Sequence, residues 1–204
     1  MNTLAARADC HSLALPRIRK ATRALHLRLE SRLPLLSPSL TIFEYTRLLG
    51  AFHGYYLPLE SRVATIAASI PDLNWSQRTK LPLLAADLDF LGVDGAARAA
   101  LPICAHLPAP ANTAETLGCL YVMEGATLGG QVTSRALRGR FGLERAGGAA
   151  FFGSYGEQVG TRWRGFLSCL ARIETPEHAS AAARAASDAF LSLESWLSER
   201  GVLS

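Results

Sequence analysis

The aliphatic residues restrict the secondary structure of this chain more than any other feature of its sequence. Among 204 residues there are 33 leucines and 33 alanines, but only 6 valines and 6 isoleucines. Leucine and alanine favour the α-helix, whereas β-branched residues favour strands. Because 49% of the residues are hydrophobic, the chain can fill one core. We therefore predict an all-α protein, with an N-terminal arm over residues 1–16 and a single helical domain over residues 17–204.

Helix start and stop signals divide the chain into successive helices joined by short segments rich in proline and glycine. Thr41 with Glu44, and Asn112 with Glu115, have the three-residue spacing of a capping box at the start of a helix. Pro58 lies inside a helical pattern and is expected to kink that helix. The predicted helical segments span residues 16–32, 41–66, 76–91, 95–100, 112–140, 157–172 and 175–201.

The charge and hydropathy of the chain argue against two classes of partner. A net charge of +4 is modest for this length and includes no run of five basic residues, so no nucleic-acid partner is predicted. No segment approaches the ~20 consecutive apolar residues that cross a bilayer, and no cleavable signal is evident. The four cysteines are scattered without a CxxC pair, which is typical of free thiols. We expect a cytoplasmic protein with no membrane partner.

Of the five histidines, only His26 has neighbours at a spacing that suits a metal ligand. Thr22, His26 and Glu30 are four residues apart and share one helix face. A Glu30 carboxylate that accepts the proton of one ring nitrogen leaves the other nitrogen as a neutral ligand. A single histidine suits haem iron better than zinc, because the porphyrin supplies the other donors. A purely structural histidine with a glutamate one turn away is the alternative, and it stays open here.

Residues 124–131 (EGATLGGQ) place three glycines inside an otherwise strong helical pattern. Together Gly125, Gly129 and Gly130 cost the helix about 3 kcal/mol relative to alanine. Gly125 and Gly129 are one turn apart, so their missing side chains would let a flat ligand approach the backbone. Close packing against another helix, or a helix that ends at residues 129–130, explains the same glycines equally well.

Basic residues that could hold the carboxylates of such a ligand lie on two predicted helices. Arg19 is seven residues before His26, two turns away on nearly the same face. Arg162 and Arg164 lie on the helix predicted at residues 157–172, and a separation of two residues turns them about 200° apart. Only one of that pair can therefore point directly at a pocket. Solvated surface charges are the alternative interpretation for each arginine.

Two of these segments, taken together, resemble the haem oxygenase family, and most closely its bacterial biliverdin-producing branch associated with bacteriophytochromes. They are residues 19–30 (RKATRALHLRLE) and residues 117–132 (LGCLYVMEGATLGGQV). The resemblance extends over about residues 17–201, with support from residues 52–60 (FHGYYLPLE), 80–92 (KLPLLAADLDFLG) and 155–167 (YGEQVGTRWRGFL).

The resemblance implies that haem b is both substrate and cofactor. It places haem between a proximal helix that carries the iron ligand, His26, and a distal helix bent at Gly125, Gly129 and Gly130. It implies cleavage of haem by O2 and electrons to biliverdin, carbon monoxide and ferrous iron, for chromophore supply or iron release. The chain has no flavin or nicotinamide motif, so an external reductant such as ferredoxin or a flavin reductase must supply the electrons. A bacteriophytochrome is the biliverdin acceptor that the resemblance suggests.

The chain departs from the family pattern at Ala126, where mammalian-type members carry an aspartate that organises the water used for protonation. By position, Thr127 and Gln131 are the side chains that could replace it. Residues expected to seat haem are Arg19, Thr22, Glu30, Arg162 and Arg164. Two other functions stay open: a haem carrier or sensor without turnover, and a helical interaction or thiaminase-like protein that binds no haem.

Overall fold

A computed structural model describes residues 12–204 of the chain, and this part contains seven α-helices. Short loops and three single turns of 3-10 helix join them, and residues 12–204 contain no strand beyond isolated bridges at Glu144. The predicted all-α class is confirmed. The helices are α1 (Ala14–Arg32), α2 (Ile42–Ser69), α3 (Leu81–Phe90), α4 (Gly95–Ala99), α5 (Thr113–Phe141), α6 (Val159–Leu170) and α7 (Pro176–Glu199).

The first helix begins at Ala14, two residues before the predicted start. Ser12 Oγ accepts a hydrogen bond from the Leu15 backbone N–H at 3.1 Å, and the side chains of Ala14 and Leu15 are buried. Pro16 is tolerated because the first helical turn has no intrahelical partner for its N–H. The helix therefore extends into the predicted arm, of which residues 1–11 lie outside the described part of the chain.

Helices α2 and α5 begin with side-chain hydrogen bonds at the residues that the capping pattern predicts. Thr41 Oγ1 accepts the Glu44 N–H at 3.2 Å, and Glu44 Oε2 accepts the Thr41 N–H at 2.8 Å. Asn112 Oδ1 accepts the Glu115 N–H at 3.0 Å at the start of α5. The second helix continues through Pro58 over 28 residues, so this proline does not divide it.

The last helix, α7, fixes the positions of α1 and α5, because both helices pack against it. Gly118 lets α5 approach closely, since a Cβ atom there would lie 2.2 Å from the carbonyl oxygen of Ala182. Glu194 of α7 accepts hydrogen bonds from Arg28 at 2.8 Å and Arg32 at 2.9 Å, which ties α1 to the same helix. A cavity separates α1 from α5.

Within residues 12–204, no helix has both the length and the apolar character needed to cross a membrane.

Candidate functional site

The space between α1 and α5 is a cavity of about 990 Å³, at the upper end of the range of about 300–1,000 Å³ typical of ligand sites. Helix α1 supplies one wall and residues 121–133 of α5 supply another. Aromatic side chains make up much of the remaining lining, which gives the cavity an apolar interior: Phe52, Tyr56, Phe151, Phe152, Trp163 and Phe190.

His26 projects from α1 into this cavity, with 57% of its side chain exposed. Its ring meets the edge of Phe190, with the ring centroids 5.9 Å apart. His26 Nδ1 lies 3.9 Å from Glu30 Oε2, which is an ion-pair distance if the ring is protonated but too long for a hydrogen bond. The Thr22 hydroxyl donates to the Ile18 carbonyl at 2.8 Å instead of reaching His26. The predicted residues therefore share the cavity wall, but the expected hydrogen bond to the imidazole is not made.

The three glycines within residues 124–131 of α5 have different surroundings. A Cβ atom at Gly129 would meet no atom within 4 Å, and one at Gly125 would meet only the Trp163 ring at 4.0 Å. These two positions leave the cavity wall bare, as the spacing predicts. Gly130 differs, because a Cβ atom there would lie 2.1 Å from the Phe152 carbonyl oxygen. Its missing side chain admits the backbone of residues 151–152, and α5 stays helical through all three positions.

The predicted basic residues divide into one that lines the cavity and two that do not. Arg19 lines it, together with the nearby Arg23 of the same helix. Arg162 instead donates to Gln77 Oε1 at 2.6 Å and faces a separate outer cleft. Arg164 donates to Thr161 Oγ1 at 3.1 Å. The structure thus places Arg162 and Arg164 outside the cavity lining, and their contact with haem stays a prediction.

The rotation of α6 about its axis explains why neither arginine lines the cavity. Successive residues of a helix are turned by about 100°, so only one of three consecutive side chains points squarely at a given cavity. On α6 that side chain is Trp163, whose ring lines the cavity and packs against Tyr121 with centroids 5.6 Å apart. The apolar indole, rather than either flanking guanidinium, takes the inward position.

Thr127 and Gln131, suggested as replacements for the aspartate of mammalian-type members, also lie in different places. Thr127 is buried at the cavity lining, and its hydroxyl donates to the Glu124 carbonyl at 2.7 Å. Gln131 is turned away, because its Nε2 donates to the Gly156 carbonyl at 2.9 Å and the residue does not line the cavity. Gln131 therefore fastens the loop after Tyr155 to α5, and its catalytic role stays a prediction.

A loop that the sequence analysis did not single out inserts Phe151 and Phe152 into the cavity. Asp87 of α3, fully buried, holds this loop by accepting the backbone N–H groups of Ala150 at 2.7 Å and Phe151 at 2.8 Å. Burial raises the pKa of the Asp87 carboxyl, and the two backbone hydrogen bonds oppose that rise. Asp87 could have been found from the sequence, because it is a lone carboxylate in the apolar stretch of residues 81–88.

A second unpredicted feature is a group of four polar side chains at the back of α5, here called the Glu124 cluster: Arg78, Lys80, Glu124 and Tyr155. The Lys80 side chain is 1% exposed and the Glu124 side chain 2%. Lys80 Nζ lies 3.2 Å from Glu124 Oε1 and 2.6 Å from Tyr155 Oη, and Arg78 Nη1 pairs with Glu124 Oε2. Lys80 also lines the cavity.

In this helical fold one apolar cavity has an exposed imidazole on one wall and bare glycines on the other, an arrangement that suits a planar ligand bearing a metal ion. A family model for heme oxygenase matches residues 12–199. The chain therefore belongs to the haem oxygenase family, as the resemblance predicted.

Known relatives agree with this membership. The chain is 33% identical over 97 residues to a haem oxygenase of Xanthomonas campestris pv. campestris (strain 8004), covering 47% of this chain and 54% of that relative. It thus spans about half the length of the curated relative it matches.

Solved haem oxygenases share the fold. The Leptospira interrogans enzyme superposes with a TM-score of 0.74 at 17% identity, covering 92% of this chain and 99% of that one. The Synechocystis sp. PCC6803 enzyme, solved in complex with haem, gives 0.74 at 18% identity, covering 92% and 91%. The Neisseria meningitidis enzyme, solved with NO and CO bound, gives 0.69 at 23% identity, covering 95% and 94%.

Proposed function

We propose that this chain cleaves haem to biliverdin, carbon monoxide and ferrous iron, using O2 and electrons from a separate donor. The observation that carries the proposal is the pairing of His26 on α1 with the bare positions Gly125 and Gly129 on α5, across one apolar cavity. Haem, when bound, supplies the iron that activates O2 and the porphyrin that is opened.

His26 would bind the iron through Nε2. Its Nδ1 is on the side of Glu30, 3.9 Å from Oε2, so Nε2 would be the nitrogen available to the iron. A neutral imidazole would donate less electron density to the iron than a thiolate does.

The opposite wall would control what approaches the other face of the ring. No side-chain atom projects from Gly129, and Gly125 has only the Trp163 ring at van der Waals distance. With haem bound, these two bare positions would leave room for a small diatomic ligand beside the α5 backbone. Phe151 and Phe152 line the apolar interior beside it and exclude bulk water.

Arg19 and Arg23 are the residues that would hold the haem propionates. Both line the cavity from α1, and they are one turn apart. Burial raises the pKa of the neighbouring Tyr121, and the positive charge of Arg19 partly offsets the rise. This places Arg19 and Tyr121 together at the edge of the cavity, where an anionic substituent would meet a fixed cation.

A haem carrier or sensor is the second candidate function. Ala126 favours it, because this residue lines the cavity without the carboxylate that other family members carry in the corresponding position. The two functions make the same prediction for haem binding and opposite predictions for turnover.

The test combines purified protein, haem, a reductant, air and catalase, with the absorption spectrum followed over time. An enzyme replaces the Soret band with bilin absorption, and chromatography of the product identifies the biliverdin isomer. A carrier or sensor keeps the Soret band. A protein that binds no haem never shifts it. Catalase removes free peroxide, so that bilin formed by peroxide in solution is not mistaken for turnover.

Three further features are proposed from the sequence. They are a cytoplasmic location, electron supply by ferredoxin or a flavin reductase, and delivery of biliverdin to a bacteriophytochrome. Product analysis with each candidate reductant in turn tests the second of these, because a physiological donor supports turnover at lower concentration than ascorbate does.

A further inference from the structure

Asp87 of α3 is a fully buried carboxylate without a cation beside it. Within residues 12–204, no lysine, arginine or histidine lies at ion-pair distance from it. Burying such a group is unfavourable, because its charge loses hydration. Burial accordingly raises the pKa of this carboxyl, and hydrogen bonds from Phe151 and Ala150 oppose the rise. A carboxylate kept in this environment indicates a specific use for its two oxygen atoms.

The backbone of residues 147–154 shows what that use is. The Ala150 N–H donates to Asp87 Oδ1 at 2.7 Å, and the Phe151 N–H donates to Oδ2 at 2.8 Å. Other N–H groups of the loop, such as that of Gly153, bond to carbonyl oxygens within the loop. A buried backbone N–H needs an acceptor, so Asp87 supplies from another helix the two acceptors that the loop lacks.

Two further contacts hold the same loop. Tyr45 of α2 is fully buried, and its hydroxyl donates to the Gly148 carbonyl at 2.8 Å. At the other end of the loop, Gly130 of α5 leaves space for the Phe152 carbonyl oxygen. Helices α2, α3 and α5 thus each fix one part of the loop, and Asp87 binds the part between Gly148 and Phe152.

The loop carries part of the aromatic wall of the haem cavity. Phe151 and Phe152 both line the cavity. The Phe151 ring also packs against Phe52 and Tyr56 of α2, with centroids 5.3 Å away in each case, and these two residues line the cavity as well. Apolar walls fix a planar ligand through their shape, while a few polar groups fix its orientation. A shift of the loop would therefore change how haem can be rotated in its own plane.

We propose that Asp87 is a positioning residue for haem cleavage. By fixing Phe151 and Phe152, it sets the in-plane rotation of haem in the cavity, and through this rotation it sets which meso carbon is opened. This inference rests on the proposed function. Asp87 itself is not part of the cavity lining, so its effect passes through the backbone of the loop.

Three substitutions separate this role from general effects on the fold. Asp87→Asn keeps the shape of the side chain but replaces one acceptor oxygen with an amide that donates, so one hydrogen bond to the loop is lost. Tyr45→Phe releases the loop at Gly148 without a change of charge. Asp89→Asn is the matched control, because it makes the same change on the same helix at a side chain that is 52% exposed and pairs with Arg98.

Hydrogen exchange in haem-free protein, measured by NMR, reports whether Asp87 holds the loop. Asp87→Asn should speed exchange at the amides of Ala150 and Phe151 about ten-fold or more, because a hydrogen bond to a charged acceptor is lost. Asp89→Asn should leave both rates at their wild-type values. Unchanged exchange at both amides in folded Asp87→Asn would overturn the inference.

Product analysis at saturating haem tests the effect on cleavage. Asp87→Asn and Tyr45→Phe should each change the ratio of biliverdin isomers about two-fold or more, whereas Asp89→Asn should give the wild-type ratio. Lower stability reduces the amount of active protein but does not alter this ratio. A wild-type ratio in Asp87→Asn would therefore mean that Asp87 is only structural. If Asp87→Asn does not fold, the ratio in Tyr45→Phe decides.

The position of haem can also be measured without turnover. In the ferric cyanide complex, the proton NMR shifts of the haem methyl groups depend on the rotation of haem relative to its axial ligand. If wild-type protein binds haem but forms no bilin, the proposed function fails. Changed methyl shifts in Asp87→Asn and Tyr45→Phe, with wild-type shifts in Asp89→Asn, would still support the role of Asp87. Wild-type shifts in all three variants would overturn it.

Discussion

Adjacent glycines of α5 should respond to alanine in opposite directions. At Gly129 the added Cβ meets no atom within 4 Å, so the variant gains helix propensity worth about 1 kcal/mol. At Gly130 the same atom would lie 2.1 Å from the Phe152 carbonyl oxygen. A backbone oxygen cannot change rotamer, so the loop must move by about 1 Å, and overpacking of this kind costs about 1–3 kcal/mol. Gly130→Ala should therefore be net destabilising, by up to about 2 kcal/mol.

Urea unfolding of the two haem-free variants beside wild type measures this contrast. We expect their free energies of unfolding to differ by about 1–3 kcal/mol, with wild type between them. Haem titration adds an independent readout, because displacement of Phe152 at the cavity lining should weaken binding in Gly130→Ala alone. Equal stability and equal haem affinity in both variants would refute the assignment of Gly130 to loop packing.

Three further predictions follow from the remaining contacts. His26→Ala should lose the axial-ligand spectrum of bound haem and most turnover, and added imidazole should restore part of both; an unchanged spectrum would exclude His26 as the ligand. Arg19→Ala should weaken haem binding by about 0.2–1 kcal/mol and change the biliverdin isomer ratio, whereas Arg162→Ala should leave that ratio as in wild type. Hydrogen bonds from Arg28 and then Arg32 hold the pKa of Glu194 below its usual value. This pairing stabilises the fold above the unfolded pKa of about 4.3 and is lost as pH falls through the lowered value, so acid unfolding should be less steep in Glu194→Gln.

Local interactions explain why much of the fold could be predicted. The capping hydrogen bonds at Thr41 and Asn112 join residues three apart, so the sequence alone determines them. His26, Gly125 and Gly129 were assigned to cavity walls for a similar reason: a helix places residues four apart on one face. These predictions needed only the period of the helix and no knowledge of how the helices pack.

Long-range contacts explain what the sequence did not reveal. Lys80 and Glu124 are 44 residues apart, and Tyr155 is 31 residues beyond Glu124, so no spacing rule connects them. The position of Arg162 outside the cavity lining has the same origin, since the rotation of α6 about its axis depends on long-range contacts such as that between Trp163 and Tyr121. Gly130 was grouped with its neighbours because the loop at Phe152 approaches it only in the folded chain.

The glycine-rich segment of α5 is therefore several adjoining surfaces and not one motif with one purpose. A helix turns about 100° per residue, so Glu124 and Gly125 diverge by that angle, while Gly125 and Gly129 differ by only about 40°. Glu124 points to the buried cluster, Gly125 and Gly129 leave the cavity wall bare, and Gly130 receives the loop. Two turns of helix thus bring the Glu124 cluster, the bare cavity wall and an aromatic loop next to one another. Because the three tasks share one rigid element, a change in the register or tilt of α5 would disturb all of them together, whereas single substitutions can separate them.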